Sequence, residues 1–262
     1  MATSLTICMA IKCKKSDEDI ESPVILFASD TQESYGYLKR SVTKMRTIFG
    51  RDPRKRGIDK WNILIASAGD SLVIDEVVGD IENLLRNEIS SREAKPSLRL
   101  RDLRKEIGDL AYCAYEKYRQ RNCTSSEFDM LLGAADEKAT VLYVNCDGKQ
   151  QVLEKFAIIG SGQVTGGELL FNEFMKEDMT QEEAANLAAL VVTKIGNVDQ
   201  FVSGEPDIQW CRNRRVWHYQ EMKFMKIMQE SERRWNIIKK AWSRMQEDDT
   251  IRKKIERAMS RW

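Results

Sequence analysis

The chain has 262 residues, 42% of them apolar and 32% charged, so it is long enough and apolar enough to bury a sizeable core. Four prolines and 14 glycines exclude collagen-like and low-complexity architectures, and no run of about 18 apolar residues is present to span a bilayer. The net charge of +1 is unevenly spread: residues 211–262 carry 15 Lys/Arg against 7 Asp/Glu, a local +8 that leaves −7 for the rest.

Leu5–Cys13 reads as a strand, and a polar, charged loop, Lys14–Ser22, leads to a second strand, Pro23–Ser29, which stops at Asp30. The pair suggests an antiparallel hairpin. A weaker β pattern runs from Tyr37 to Phe49, and a basic loop containing Gly50, Pro53 and Gly57 separates it from a clear strand, Trp61–Ala66. From Asp70 the spacing turns helical through Leu72, Ile74, Val77, Val78, Ile81 and Leu84–Leu85, and a second helix is predicted over Leu98–Arg119. Strands return at Phe128–Gly133, Thr140–Asn145 and Gln151–Ile159, with Asp147-Gly148 marking a tight turn. Two further helices are predicted, Val164–Met175 and Thr180–Ile195, the latter opened by the capping box Thr180-x-x-Glu183. Strands and helices are thus segregated into blocks, which predicts an α+β fold in which helix pairs cover two stacked antiparallel sheets, a four-layer αββα sandwich. A long amphipathic helix is expected from Trp217 to Met259, in a region holding five of the six tryptophans at or beyond Trp210. The expected organisation is a short leader (1–5), a body (6–211) and a basic helical extension (212–262).

Residue types exclude much chemistry. The only histidine, His218, sits in the basic and aromatic run Arg214–Tyr219 without a nucleophile elbow nearby, so a Ser/His/Asp triad or multi-histidine metal site is not expected. The six cysteines are scattered without CxxC spacing, which points to neither a zinc site nor a disulfide scaffold and suits a cytoplasmic protein. The N-terminus lacks a secretory layout. Gly160-x-Gly162 with Gly166-Gly167 lacks GxxxxGK[ST], so no nucleotide cofactor is expected, and no metal. Acidic residues interleaved in the basic extension argue against a nucleic-acid partner.

Without imidazole, a hydroxyl nucleophile needs another base, and the α-amino group of a chain's first residue is one that every chain owns. Its unperturbed pKa of about 7.7–8.0 suits proton acceptance near neutrality. Thr6, at the head of the first strand, is the leading candidate, with Thr3 and Ser4 behind it. The bland alternative is that Thr6 is an ordinary strand residue.

Thr6–Lys12 followed by Leu26-Phe27-Ala28-Ser29-Asp30 resembles the opening of β-type proteasome subunits, which belong to the N-terminal nucleophile hydrolases. The resemblance continues in order through Ser41–Met45, Ile65–Asp70, Gly160-Ser161-Gly162, Met179–Ala184, and Asp199 with Ser203-Gly204. It implies a threonine-type peptidase in which Thr6 is freed to attack a peptide carbonyl. Asp30 would hold Lys44, Lys44 would favour the deprotonated hydroxyl, and a backbone N–H at Gly69 would meet the oxyanion. Ser161, Asp199 and Ser203 would orient the terminal amine. It further implies polypeptide substrates and a homo-oligomeric ring, with related subunits or an ATPase as further partners. Two departures stand out: Leu5 replaces the usual glycine before the threonine, and Asp70 follows Gly69 at once. A subunit that never frees Thr6 would be a non-catalytic ring component, and an acyl-threonine captured by an amine would make the protein a transpeptidase or ligase.

Overall fold

In a computed structural model, the described residues are 6–16, 23–35, 38–41, 43–51, 59–91, 100–122, 127–135, 138–213, 215–219, 221–247 and 253. The expected leader, most of the Lys14–Ser22 loop, and all but Lys253 of the expected helix beyond Glu247 lie outside them. The chain divides into two compact units, Met1–Tyr219 and Gln220–Trp262.

The first unit opens with β1 (Cys8–Lys14) and β2 (Pro23–Ser29), an antiparallel pair with Cys8 opposite Ser29. A small hairpin of β3 (Gln32–Tyr35) and β4 (Leu38–Ser41) follows, and then β5 (Met45–Arg51) and β6 (Asp59–Gly69). Helices α1 (Ser71–Ser91) and α2 (Arg104–Asn122), the latter entered through a 3-10 turn at Leu100–Leu103, lead into β7 (Phe128–Ala135) and β8 (Ala139–Asn145). Next come β9 (Gln150–Leu153), β10 (Phe156–Ile159), a π turn at Gln163–Gly167, α3 (Glu168–Phe174) and α4 (Gln181–Ile195). The hairpin β11 (Asp207–Arg212) and β12 (Arg215–His218) closes the unit. The second unit contains α5 (Glu221–Glu247).

One antiparallel sheet has the order β10-β1-β2-β11-β12 and the other β5-β6-β7-β8-β9. Because side chains alternate across a strand, each sheet feeds two cores. Cys8, Ala10, Ile25 and Phe27 meet Leu64, Ala66, Ala68 and Leu131 between the sheets. Ile63, Ile65, Met130, Leu132 and Leu142 pack outward on Val73, Val77 and Ile81 of α1 and Ile107 and Ala111 of α2. On the opposite side α4, whose buried Ala184, Ala185, Ala188 and Ala189 permit close approach, packs on β1 and β2. Phe171 of α3 packs its ring in a tilted arrangement, centroids 4.6 Å apart, against Phe156 of β10. The result is a four-layer αββα sandwich. Burial on both faces explains why Ile7–Ile11 and Val24–Ala28 are unbroken apolar runs.

Three expectations about elements are corrected. The stretch 151–159 is two strands, not one: a bend at Glu154–Lys155 sends β9 to one sheet and β10 to the other. Val164 does not begin an α-helix, because Gly166 sits at φ +117° and the turn there is widened to π geometry. Trp217 belongs to a strand, with its indole stacked 4.2 Å from Trp210 across the β11–β12 pair, and the helix starts at Glu221. An aromatic cross-strand pair of this kind favours a hairpin over the helical spacing read there.

Candidate active site

Thr6 lies just before β1 and Asp30 just after β2, and the antiparallel register sets Ile7 opposite Asp30. The Asp30 amide donates to the Ile7 carbonyl at 3.2 Å, and the Ile7 amide returns a bond to Asp30 Oδ1 at 3.0 Å. The Thr6 hydroxyl donates to the same carboxylate oxygen through a short bond. Lys44 enters from the other sheet, immediately before β5, where its carbonyl accepts from the Ser67 amide at 3.3 Å. Its Nζ stands 2.5 Å from Thr6 Oγ1 and 2.8 Å from Asp30 Oδ2. Hydroxyl, carboxylate and ammonium therefore form a closed triangle bridging the two sheets.

The triangle is secluded. Thr6 is 3% exposed, the Asp30 side chain is fully buried and that of Lys44 is 10% exposed. Away from water, a charge-assisted bond is stronger and fixed in geometry. The hydroxyl oxygen receives a positive N–H while its proton points at a carboxylate. The ammonium favours the alkoxide form of that oxygen, and the carboxylate fixes the direction of its proton.

Cys8, two residues further on the same face of β1, donates through Sγ to the Ser67 carbonyl at 3.4 Å. Burial pushes its thiol up to about 12, against a smaller opposing pull from the Lys44 charge. The thiol stays protonated and does not compete as a nucleophile.

A second group of residues approaches Thr6 from behind. Gly160 adopts φ +91°, a left-handed conformation favouring glycine, and a Cβ there would lie 2.3 Å from the Thr6 carbonyl oxygen. Gly162 donates its amide to that oxygen at 3.0 Å, and the Ser161 hydroxyl lies 3.4 Å from it. Asp199, 4% exposed, accepts from the Phe201 amide at 2.9 Å and from the Thr165 hydroxyl at 3.1 Å. Thr165 Oγ1 is also 3.1 Å from the Ser161 carbonyl.

Of the residues singled out from the sequence, Thr6, Asp30, Lys44 and Ser161 are joined by direct hydrogen bonds. Asp199 is connected through Thr165, a residue the sequence reading did not select. Its hydroxyl follows the Gly-Ser-Gly motif by three residues, a signal hidden inside what reads as a plain helix start. Ser203 is half-buried and makes no hydrogen bond among the described residues. Gly69 ends β6 at φ +130°, where a Cβ would strike the Glu127 carbonyl at 2.4 Å, so the turn into α1 needs glycine there. Asp70 caps that helix by accepting from the Leu72 amide at 2.9 Å, and its other oxygen holds the Tyr118 hydroxyl at 3.0 Å. His218 is exposed on β12, opposite Gln209. Among the described residues no group of three or more His, Cys, Asp or Glu side chains converges as metal ligands, and no helix is long and apolar enough to cross a membrane.

No protein-family model and no curated protein sequence matches the chain. Solved structures do. Anbu from Hyphomicrobium sp. strain MC1 superposes with a TM-score of 0.62 at 17% identity, covering 91% of this chain and 97% of that one. A mutant of the same protein gives 0.63 at 17% with the same coverage. Anbu from Yersinia bercovieri, described as an ancestral beta-subunit, gives 0.65 at 14%, covering 89% and 96%. At these identities the likeness establishes the fold.

These findings correct the resemblance drawn from the sequence: the three structures named above are Anbu, one described as an ancestral beta-subunit, where a β-type proteasome subunit was expected. The reason is physical. Gly69 and Gly160 answer to positive φ, and Thr180 and Glu183 form a reciprocal cap on α4. Such features accompany the sandwich itself and do not separate one of its members from another. Leu5 and the immediate Gly69-Asp70 junction are where the chain departs from the β-type pattern.

Proposed function

We propose that the chain is a threonine-type peptidase or amidase with Thr6 as its nucleophile once residues 1–5 are removed. The observation that carries this reading is the buried triangle of Thr6 Oγ1, Asp30 and Lys44. An ordinary strand threonine has no need of a lysine ammonium and a fully buried carboxylate on its hydroxyl. The likeness in fold to an ancestral beta-subunit supports it.

In this reading the freed α-amino group of Thr6 accepts the hydroxyl proton, since its ordinary pKa of about 7.7–8.0 lies near neutrality. Lys44 stabilises the oxygen as it becomes anionic, and Asp30 holds Lys44. The oxygen adds to the peptide carbonyl, and a backbone N–H at the Gly69 turn stabilises the oxyanion, an effect worth about 3 kcal/mol per donor. Collapse breaks the C–N bond, and the leaving amine takes the proton from the α-ammonium. Water then adds to the acyl-threonine ester, releasing the acid and restoring the hydroxyl. Ser161, Asp199 and Ser203 serve to orient the amine. Substrates are polypeptides, and the subunits form a ring enclosing the sites.

Leu5 favours a second reading, a non-catalytic subunit. Self-cleavage asks for close, flexible backbone at the scissile bond, which glycine permits and leucine restricts. Intact mass and N-terminal sequencing of the assembled protein separate the two. A Thr6 start supports catalysis, and retention of residues 1–5 refutes it. Thr6→Ala is expected to abolish hydrolysis, and a competing amine distinguishes hydrolysis from acyl transfer.

A further inference from the structure

We propose that Thr165 is a positioning residue of the Thr6 site, locking Asp199 and Ser161 together through one hydroxyl. The inference rests on the peptidase reading above and adds a residue to it.

Thr165 lies within the π turn Gln163–Gly167, whose Glu168 amide reaches back to the Gln163 carbonyl. A π turn is rare, and where one is kept it frequently serves a functional site. Here its consequence is local: Thr165 Oγ1 comes within 3.1 Å of both Asp199 Oδ2 and the Ser161 carbonyl. Gly166, at φ +117°, turns the chain immediately afterwards.

Asp199 depends on this contact. It is 4% exposed, its Oδ1 is held by the Phe201 amide, and Thr165 is the side-chain donor to its Oδ2 among the described residues. A carboxylate out of water requires donors, and loss of one leaves the oxygen unpaired. Ser203, expected from the sequence to help orient the amine, makes no such bond to Asp199.

The connection continues to the nucleophile. Ser161 approaches the Thr6 carbonyl oxygen through its hydroxyl, and Gly162 donates to the same atom. Thr165 has a single proton shared between the Asp199 carboxylate and the Ser161 carbonyl. It thereby fixes the distance between the acid and the loop that grips Thr6. The direction of the Thr6 backbone, and with it of the α-amino group, is set by that grip.

The test uses the full-length protein and a peptidyl β-lactone that acylates Thr6 Oγ1, with mass spectrometry counting labelled sites and rates expressed per labelled site. Thr165→Val keeps the shape and removes the proton, and Thr165→Ala is the second variant should the valine impair folding. Either is expected to lower the per-site kcat about tenfold, the worth of one hydrogen bond, with KM within about twofold. Thr165→Ser is expected to restore kcat to within about twofold. Unchanged per-site kcat in the valine and alanine variants, or a serine variant as slow as valine, overturns the assignment and leaves the peptidase reading intact. A parent protein that is never acylated at Thr6 overturns both.

Discussion

The carbonyl oxygen of Thr6 occupies the space where a side chain at Gly160 would begin, 2.3 Å from the position of its Cβ. Residue 160 also holds φ +91°. The site's main-chain grip on Thr6, through Gly162 and Ser161, exists because nothing projects from Gly160.

Gly160→Ala is therefore expected to be among the costliest single-methyl additions in the chain. Left-handed strain and overpacking against backbone each cost about 1–3 kcal/mol. Denaturant unfolding should show a lower midpoint with an unchanged slope, because the extent of buried surface stays the same. A midpoint equal to the parent's would show that the loop relaxes freely and that the contact is not a constraint.

Lys44 and Asp30 are expected to be coupled energetically. Asp30 is fully buried, and Lys44 forms an ion pair with it across 2.8 Å. Removing the ammonium by Lys44→Ala strips a fully buried carboxylate of this ion pair, a loss of about 3 kcal/mol. Lys44→Ala combined with Asp30→Asn removes the buried carboxylate charge as well and should recover part of that loss. A double-mutant cycle measured by urea unfolding reads the coupling directly, and additive effects would refute it.

Much of this arrangement was legible in the sequence, for reasons visible in particular residues. Ile7–Ile11 and Val24–Ala28 are buried on both faces, so their apolar runs declared two central strands and placed Thr6 and Asp30 at neighbouring strand ends. Thr180 and Glu183 announced the start of α4 through local chemistry alone. What remained hidden depended on partners remote in sequence. The split of 151–159 between two sheets is decided by β8 and β1, not by any feature of Glu154 or Lys155. Thr165 gained its contact with Asp199 from a widened turn that helical periodicity does not encode. The family resemblance overreached because glycine turns and caps report the sandwich and not the lineage.

The C-terminal unit is expected to influence assembly. Along α5 the large apolar residues Met225, Ile237 and Trp242 are exposed, while Glu230 ties down Arg233 and Arg234 on the same helix. Large apolar side chains left in water on a well-formed helix favour association. Deleting residues 220–262 should change the oligomer size seen by sedimentation velocity. An unchanged profile would exclude any part of this unit in assembly.

Stability is expected to fall under alkaline conditions in a way traceable to buried thiols. Burial pushes Cys8, Cys13 and Cys211 each up to about 12. An unfolded cysteine ionises near 8.5, so between about pH 9 and 12 the unfolded chain holds fewer protons than the folded one. With the unfolded state the less protonated, raising pH draws the equilibrium toward it. The contribution of each neutral thiol is fully present below about pH 8.5 and fades as pH climbs toward the folded value. Urea midpoints should therefore hold steady from pH 7 to 8 and decline from pH 9 to 11, and Cys13→Ala with Cys211→Ala should flatten the decline. A midpoint that stays level from pH 9 to 11 would show that these thiols reach water before the fold opens.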